Sequence, residues 1–120
     1  MNTALLMRKF KITTRYQGYF LLPEAIDLAV KQYGNCLKIT KDIYPEMSKR
    51  HGIPAKRIER NIRTVIEKAW KNNRSFMEEI AGEELTTFPS NGEFIDFITY
   101  WLVEQGGDVR LEESSEDQSV

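Results

Sequence analysis

Between Lys49 and Arg74 the chain sets nine basic residues against two acids. Lys49, Arg50, Lys56, Arg57, Arg60, Arg63, Lys68, Lys71 and Arg74 are opposed only by Glu59 and Glu67. Such a cluster attracts phosphate even though the formal net charge is −1, because an anion responds to the local field rather than to the total. Arginine adds a second chemistry: its fork of donors matches O6 and N7 of guanine in the major groove of a DNA duplex. Most other carboxylates are displaced toward the C-terminal third, which leaves the middle of the chain free to meet a polyanion.

These side chains are useful only if an element holds them on one surface. The stretch from Tyr44 to Trp70, YPEMSKRHGIPAKRIERNIRTVIEKAW, predicts two helices joined by a tight turn. Pro45 suits the start of the first, where its missing N–H is an orphan donor in any case. Gly52 can leave a helix through the left-handed conformation, and Pro54 is expected at the first position of the second helix. Ile58, Ile62, Val65, Ile66, Ala69 and Trp70 recur at three- and four-residue spacing and form one apolar stripe. At about 100° per residue the opposite face carries Arg57, Arg60, Thr64 and Lys71. Lys56 and Arg63 lie on a flank, with Glu59 between Arg63 and the stripe. Ser48 is small where the two helices must approach, and Ile53 and Ile58 are the expected apolar contacts across the turn. This is the build of a helix-turn-helix, whose second helix fits a major groove; an ordinary helical hairpin with a solvated basic face has the same pattern.

The block ITKDIYPEMSKRHGIPAKRIERNIRTVIEKAW, residues 39–70, resembles the C-terminal DNA-binding effector domain of the master response regulator of sporulation initiation. The resemblance is carried by Ile39-Thr40-Lys41, Tyr44-Pro45, Arg57, Glu59-Arg60, Ile62-Arg63, Ile66-Glu67 and Ala69-Trp70. It extends back to Tyr19 and Glu24-Ala25-Ile26 and forward to Ser90-Asn91-Gly92-Glu93-Phe94-Ile95. It implies an all-α fold of about six helices around a central helix-turn-helix, and double-stranded DNA as the partner. It also implies that Glu59, Arg60 and Arg63 face base edges and that Arg57 is a basic residue opening the recognition helix. Arg60 would take a guanine edge and Glu59 would accept from cytosine N4. Beside these, Lys38, Lys41, Lys56, Arg57, Thr64 and Lys71 are expected to be auxiliary or phosphate contacts. Lys56, Asn61 and Thr64 depart from the family pattern, which points to an altered target preference. Family members also associate side by side on tandem sites. A phosphorylatable receiver precedes the family domain, whereas nothing of that length is expected here, so control by phosphorylation is not expected either.

The whole chain agrees with a small regulator. Its 120 residues, 41% hydrophobic and 29% charged, are enough for one modest core. One cysteine, Cys36, and one histidine, His51, exclude an intrachain disulfide and the usual structural zinc patterns. His51, beside the turn, reads as a helix-end residue. No apolar run reaches membrane-spanning length, and Ala4-Leu5-Leu6-Met7 is too short for a signal peptide; a cytoplasmic, nucleoid-associated protein is expected. No nucleophile has a base and an orienting acid nearby, and there is no glycine-rich phosphate loop. No enzymatic activity, cofactor, metal or small-molecule substrate is therefore expected. The alternative from another class is a small interaction module that grips an acidic partner with the same basic face.

Around the central stretch, residues 1–18 read as a basic arm that touches backbone phosphates or, alternatively, as a short extended segment packing Phe10 and Ile12 on the domain. Residues 19–105 read as the helical domain, and 106–120 as an acidic, disordered tail. A helix is expected from Tyr19 to Tyr33 with Pro23 in its first turn, and a shorter one from Leu37 to Tyr44 with Lys38 and Lys41 outward. Ser75 and Glu78 suggest a capping box, Ser90 and Glu93 a second one. The last helix, with Phe94, Phe97, Ile98, Trp101 and Leu102 on one face, is expected to end at Gly106-Gly107.

Overall fold

The apolar stripe of the basic stretch is the middle of the fold. Ile58, Ile62, Val65 and Ile66 are wholly buried and Ala69 nearly so, and the helix that carries them touches four others. The computed structural model describes residues 3–34 and 38–114, with side chains as far as residue 105. The order is α1 Thr3–Lys9, α2 Gly18–Lys31, a π-helical turn Ile39–Ile43, α3 Tyr44–His51, α4 Ala55–Asn72, α5 Arg74–Ala81 and α6 Asn91–Ser114. No strand occurs among the described residues, so the expected all-α class with about six helices is the one found. Helix α4 packs against α2, α3, α5 and α6.

The N-terminal segment is a correction. It is neither an arm nor extended: α1 buries Leu6 and Met7, and Phe10 and Ile12 follow into the core. The Phe10 ring lies 5.0 Å from that of Phe76 and 6.1 Å from that of Phe94. Helix α1 closes with Lys11 in the left-handed region (φ 58°), while Ile12 N–H reaches back to Met7 O, the six-to-one bond of a Schellman ending. Two asparagines then tie this segment to the far end of α4. Asn72 Nδ2 donates to Phe10 O and Lys11 O at 3.0 and 3.2 Å, and Asn73 Nδ2 to Lys9 O at 3.0 Å.

Other boundaries also moved. Helix α2 begins at Gly18, so Pro23 lies inside it rather than in its first turn; a proline there removes one ladder bond. The expected helix before Tyr44 is a π-helical turn, with Ile43 buried and Asp42 accepting from Lys38 N–H at 2.7 Å. Leu37 lies outside the described residues. Pro54 is the residue before α4 rather than its first, with φ −64° and ψ 145°.

Ser75 and Glu78 form no capping box. Asn73 caps α5 by accepting from Phe76 N–H at 3.3 Å, and Glu78 instead accepts from Leu85 N–H at 2.8 Å and pairs with Arg74. The backbone bond holds the Glu78 carboxyl below its ordinary range. The Ser90–Glu93 box does form, with Glu93 N–H on Ser90 Oγ at 3.1 Å and Ser90 N–H on Glu93 Oε1 at 2.9 Å. Helix α6 does not stop at the expected Gly106-Gly107 but continues to Ser114. A glycine inside a helix costs only about 1 kcal/mol and is not a stop by itself. Residues 115–120 lie outside the described residues.

Candidate nucleic-acid interface

Helix α3 is short because Gly52 ends it in the left-handed conformation, φ 66° and ψ 28°, with its N–H on Ser48 O at 2.8 Å. Ser48 does more than leave space: its hydroxyl donates to Ile53 O at 2.6 Å, which fixes the first residues of the turn to α3. Met47 and Ile58 are completely buried across that turn, while Ile53 is half-buried. Ser48→Ala should lower stability by about 1 kcal/mol, the usual net worth of such a bond. The effect would appear as a lower urea midpoint at constant m-value; an unchanged midpoint would show that the bond adds nothing to the turn.

Helix α3 is also tied to α2 by charge. His51 Nε2 is 2.6 Å from Glu24 Oε1, Arg50 Nη1 is 3.1 Å from Glu24 Oε2, and Arg50 Nε is 3.0 Å from Glu46 Oε2. The bonds to Glu46 and Glu24 hold the Arg50 guanidinium above its ordinary range. His51 is thus exposed and engaged with α2.

With α3 fixed, α4 turns its charged side outward. Lys56, Arg57, Arg60, Arg63, Thr64 and Lys71 are all exposed. Among the described residues, the side chains of Lys56, Arg57 and Arg60 make no hydrogen bond or ion pair. Arg63 is paired along the helix with Glu59, which is half-buried. Lys71 Nζ stands 3.8 Å from Glu67, and the Thr64 hydroxyl donates back to Arg60 O at 3.1 Å, leaving it as an acceptor. The stripe is not buried evenly: Ile62 is wholly buried, but Trp70 at its end is only half-buried, with the Arg74 guanidinium 4.4 Å over its ring. Lys38 and Lys41 are exposed on the π-helical turn, which packs on α2 and α3. They are therefore not brought onto the exposed face of α4.

Contacts across the fold fix α4 at residues 59–61, and sequence reasoning missed them. Asn91, the buried first residue of α6, donates from Nδ2 to Tyr44 Oη at 2.8 Å and to Glu59 O at 2.9 Å. Burial raises the Tyr44 phenol above its ordinary range, more than the Asn91 bond lowers it. On the other side Asn61 Nδ2 donates to Gln17 Oε1 at 2.9 Å, and α2 approaches so closely that only glycine fits at position 18. In the sequence Asn91 stands out as a residue of the family resemblance and as a polar residue inside a capping motif, which reads as purely local.

A helix-turn-helix whose second helix is apolar toward four neighbours and cationic outward is suited to a duplex. The family model described as sporulation initiation factor Spo0A C terminal matches residues 3–102. The chain belongs to that family. The Spo0A C-terminal family is the DNA-binding effector domain of a sporulation regulator, a transcription-factor domain and not an enzyme family. DNA binding in transcription regulation, with double-stranded DNA as partner, follows at that level. No helix among the described residues is long and apolar enough to cross a membrane.

Proposed function

We propose that the protein is a sequence-specific transcriptional regulator whose α4 lies in the major groove of its target as the recognition helix. The observation that carries this reading is Arg60. It stands exposed and, among the described residues, without an ion pair, on the side of α4 away from the buried isoleucines. Its guanidinium is therefore available to a guanine edge in the bidentate manner. Arg63 and Glu59 form the neighbouring readout pair. Held to each other in the free protein, they separate on DNA, Glu59 to accept from cytosine N4 and Arg63 to meet a base or phosphate. Lys56 and Arg57 at the start of α4, Thr64 and Lys71 further along, and Lys38 and Lys41 on the π-helical turn act on backbone phosphates. The protein works in the cytoplasm on the nucleoid, and tandem sites would let copies associate side by side.

Selection of duplexes from a random pool tests the reading. Successive rounds should enrich one motif that contains a guanine, and that duplex should out-compete random duplex at constant salt. A pool that stays unenriched above the electrostatic background would overturn the reading and favour a basic interaction module for acidic protein partners.

A further inference from the structure

We propose that Asn91 is a positioning residue for sequence readout: from α6 it fixes the turn of α4 that carries Glu59, Arg60 and Arg63. The inference rests on the reading of α4 as the recognition helix. Asn91 is over nine-tenths buried and its Nδ2 forks between Tyr44 Oη on α3 at 2.8 Å and the Glu59 carbonyl on α4 at 2.9 Å. One side chain thereby joins both helices of the helix-turn-helix to a third element. The carbonyl it grips belongs to Glu59, the residue just before Arg60, whose side-chain carboxylate pairs with Arg63.

The asparagine is not optimised for stability alone. Its Oδ1 is buried without a hydrogen-bond partner among the described residues, and such an orphaned acceptor is a cost that an apolar residue would avoid. What the asparagine adds is direction. The isoleucines under α4 hold it by contact, and the hydrogen bond to one carbonyl adds a directional restraint at the turn that carries Arg60. A rotation of about 10° carries a side-chain tip about 6 Å from the axis through about 1 Å. That exceeds the roughly 0.5 Å within which a bidentate contact must be held. Asn91 itself needs no contact with DNA for this.

The test compares affinity for the selected duplex with affinity for random duplex at one salt concentration, using the full chain. Asn91→Ala should lower that ratio about tenfold, within the range of one lost base contact. Its affinity for random duplex and its salt slope should not change, because no charge is removed. Tyr44→Phe removes the other arm of the fork and leaves the Glu59 bond. It should lower the melting temperature and keep the ratio within about twofold, which separates positioning from stability. A folded Asn91→Ala protein with the parent's ratio would overturn the role of Asn91 while leaving the recognition-helix reading intact. A parent protein with no preference for any duplex would overturn both. Should Asn91→Ala fail to fold, Asn91→Ser, too short to reach the Glu59 carbonyl, is held to the same criterion. Loss of folding in both would make the residue purely structural and overturn the proposal.

Discussion

Gly18→Ala should melt several degrees, and up to about 15 °C, below the parent protein, taking about 4–8 °C per kcal/mol for a domain of this size. A Cβ at position 18 would stand 2.3 Å from Asn61 O and 2.5 Å from Val65 Cγ2. The first of these is backbone, held inside α4 by its own ladder, so it cannot swing aside as a side chain would. Relief must come from moving α2 away from α4, and α4 is the helix on which the core is assembled. Overpacking of this kind costs about 1–3 kcal/mol. The substitution also gains helix propensity, worth at most about 1 kcal/mol, and the contact outweighs it. Gly92→Ala is the control. It lies in the first turn of α6, and its nearest neighbour would be Ile39 Cγ2 at an ordinary 3.8 Å. It should be neutral or slightly stabilising. Equal melting temperatures for the two variants would show that α2 and α4 are not in close contact at Gly18.

That contact could not be read from the sequence, and the reason is general to this chain. Features whose cause lies within a few residues were readable: the Ile58–Ile62–Val65–Ile66 stripe, the left-handed Gly52, the Ser90–Glu93 box. Features caused by residues far apart were not. Helix α1 is seven residues long, too short for a convincing period. It ends on a left-handed lysine where glycine is the usual signal, and it is secured by Asn72 and Asn73, more than sixty residues away. Asn73 and Ser75 were both chemically able to cap α5. The choice went to Asn73 because α4 runs on to Asn72 and leaves a single residue between the helices. On the outward face of α4 the exposed cations followed from the wheel. The contacts of Asn91 and Gln17 that fix that face depend on how α6 and α2 cross α4, which no spacing along the chain records.

Arg60→Ala and Lys71→Ala each remove one positive charge from α4, and they should not behave alike. Arg60 is exposed and, among the described residues, unpaired, in the half of the helix nearer the turn. Losing a bidentate contact to guanine should cost about 1–3 kcal/mol on the selected duplex. On random duplex, where no guanine is fixed in register, the cost should be much smaller, so specificity falls with affinity. Lys71 is next to last in the helix, on the same exposed side but partly occupied by Glu67 at 3.8 Å, an exposed pair that adds little to stability. At about 1.5 Å rise per residue it stands about 16 Å from Arg60 along the axis, beyond the bases that the turn end of α4 can reach. Lys71→Ala should weaken selected and random duplex alike and lower the salt slope by about one. Both variants change net charge equally, so a difference between them isolates readout from electrostatics. Titrations of both duplexes at several salt concentrations decide it. Identical behaviour of the two variants on both duplexes would mean that Arg60 reads no base and that α4 offers only a basic face.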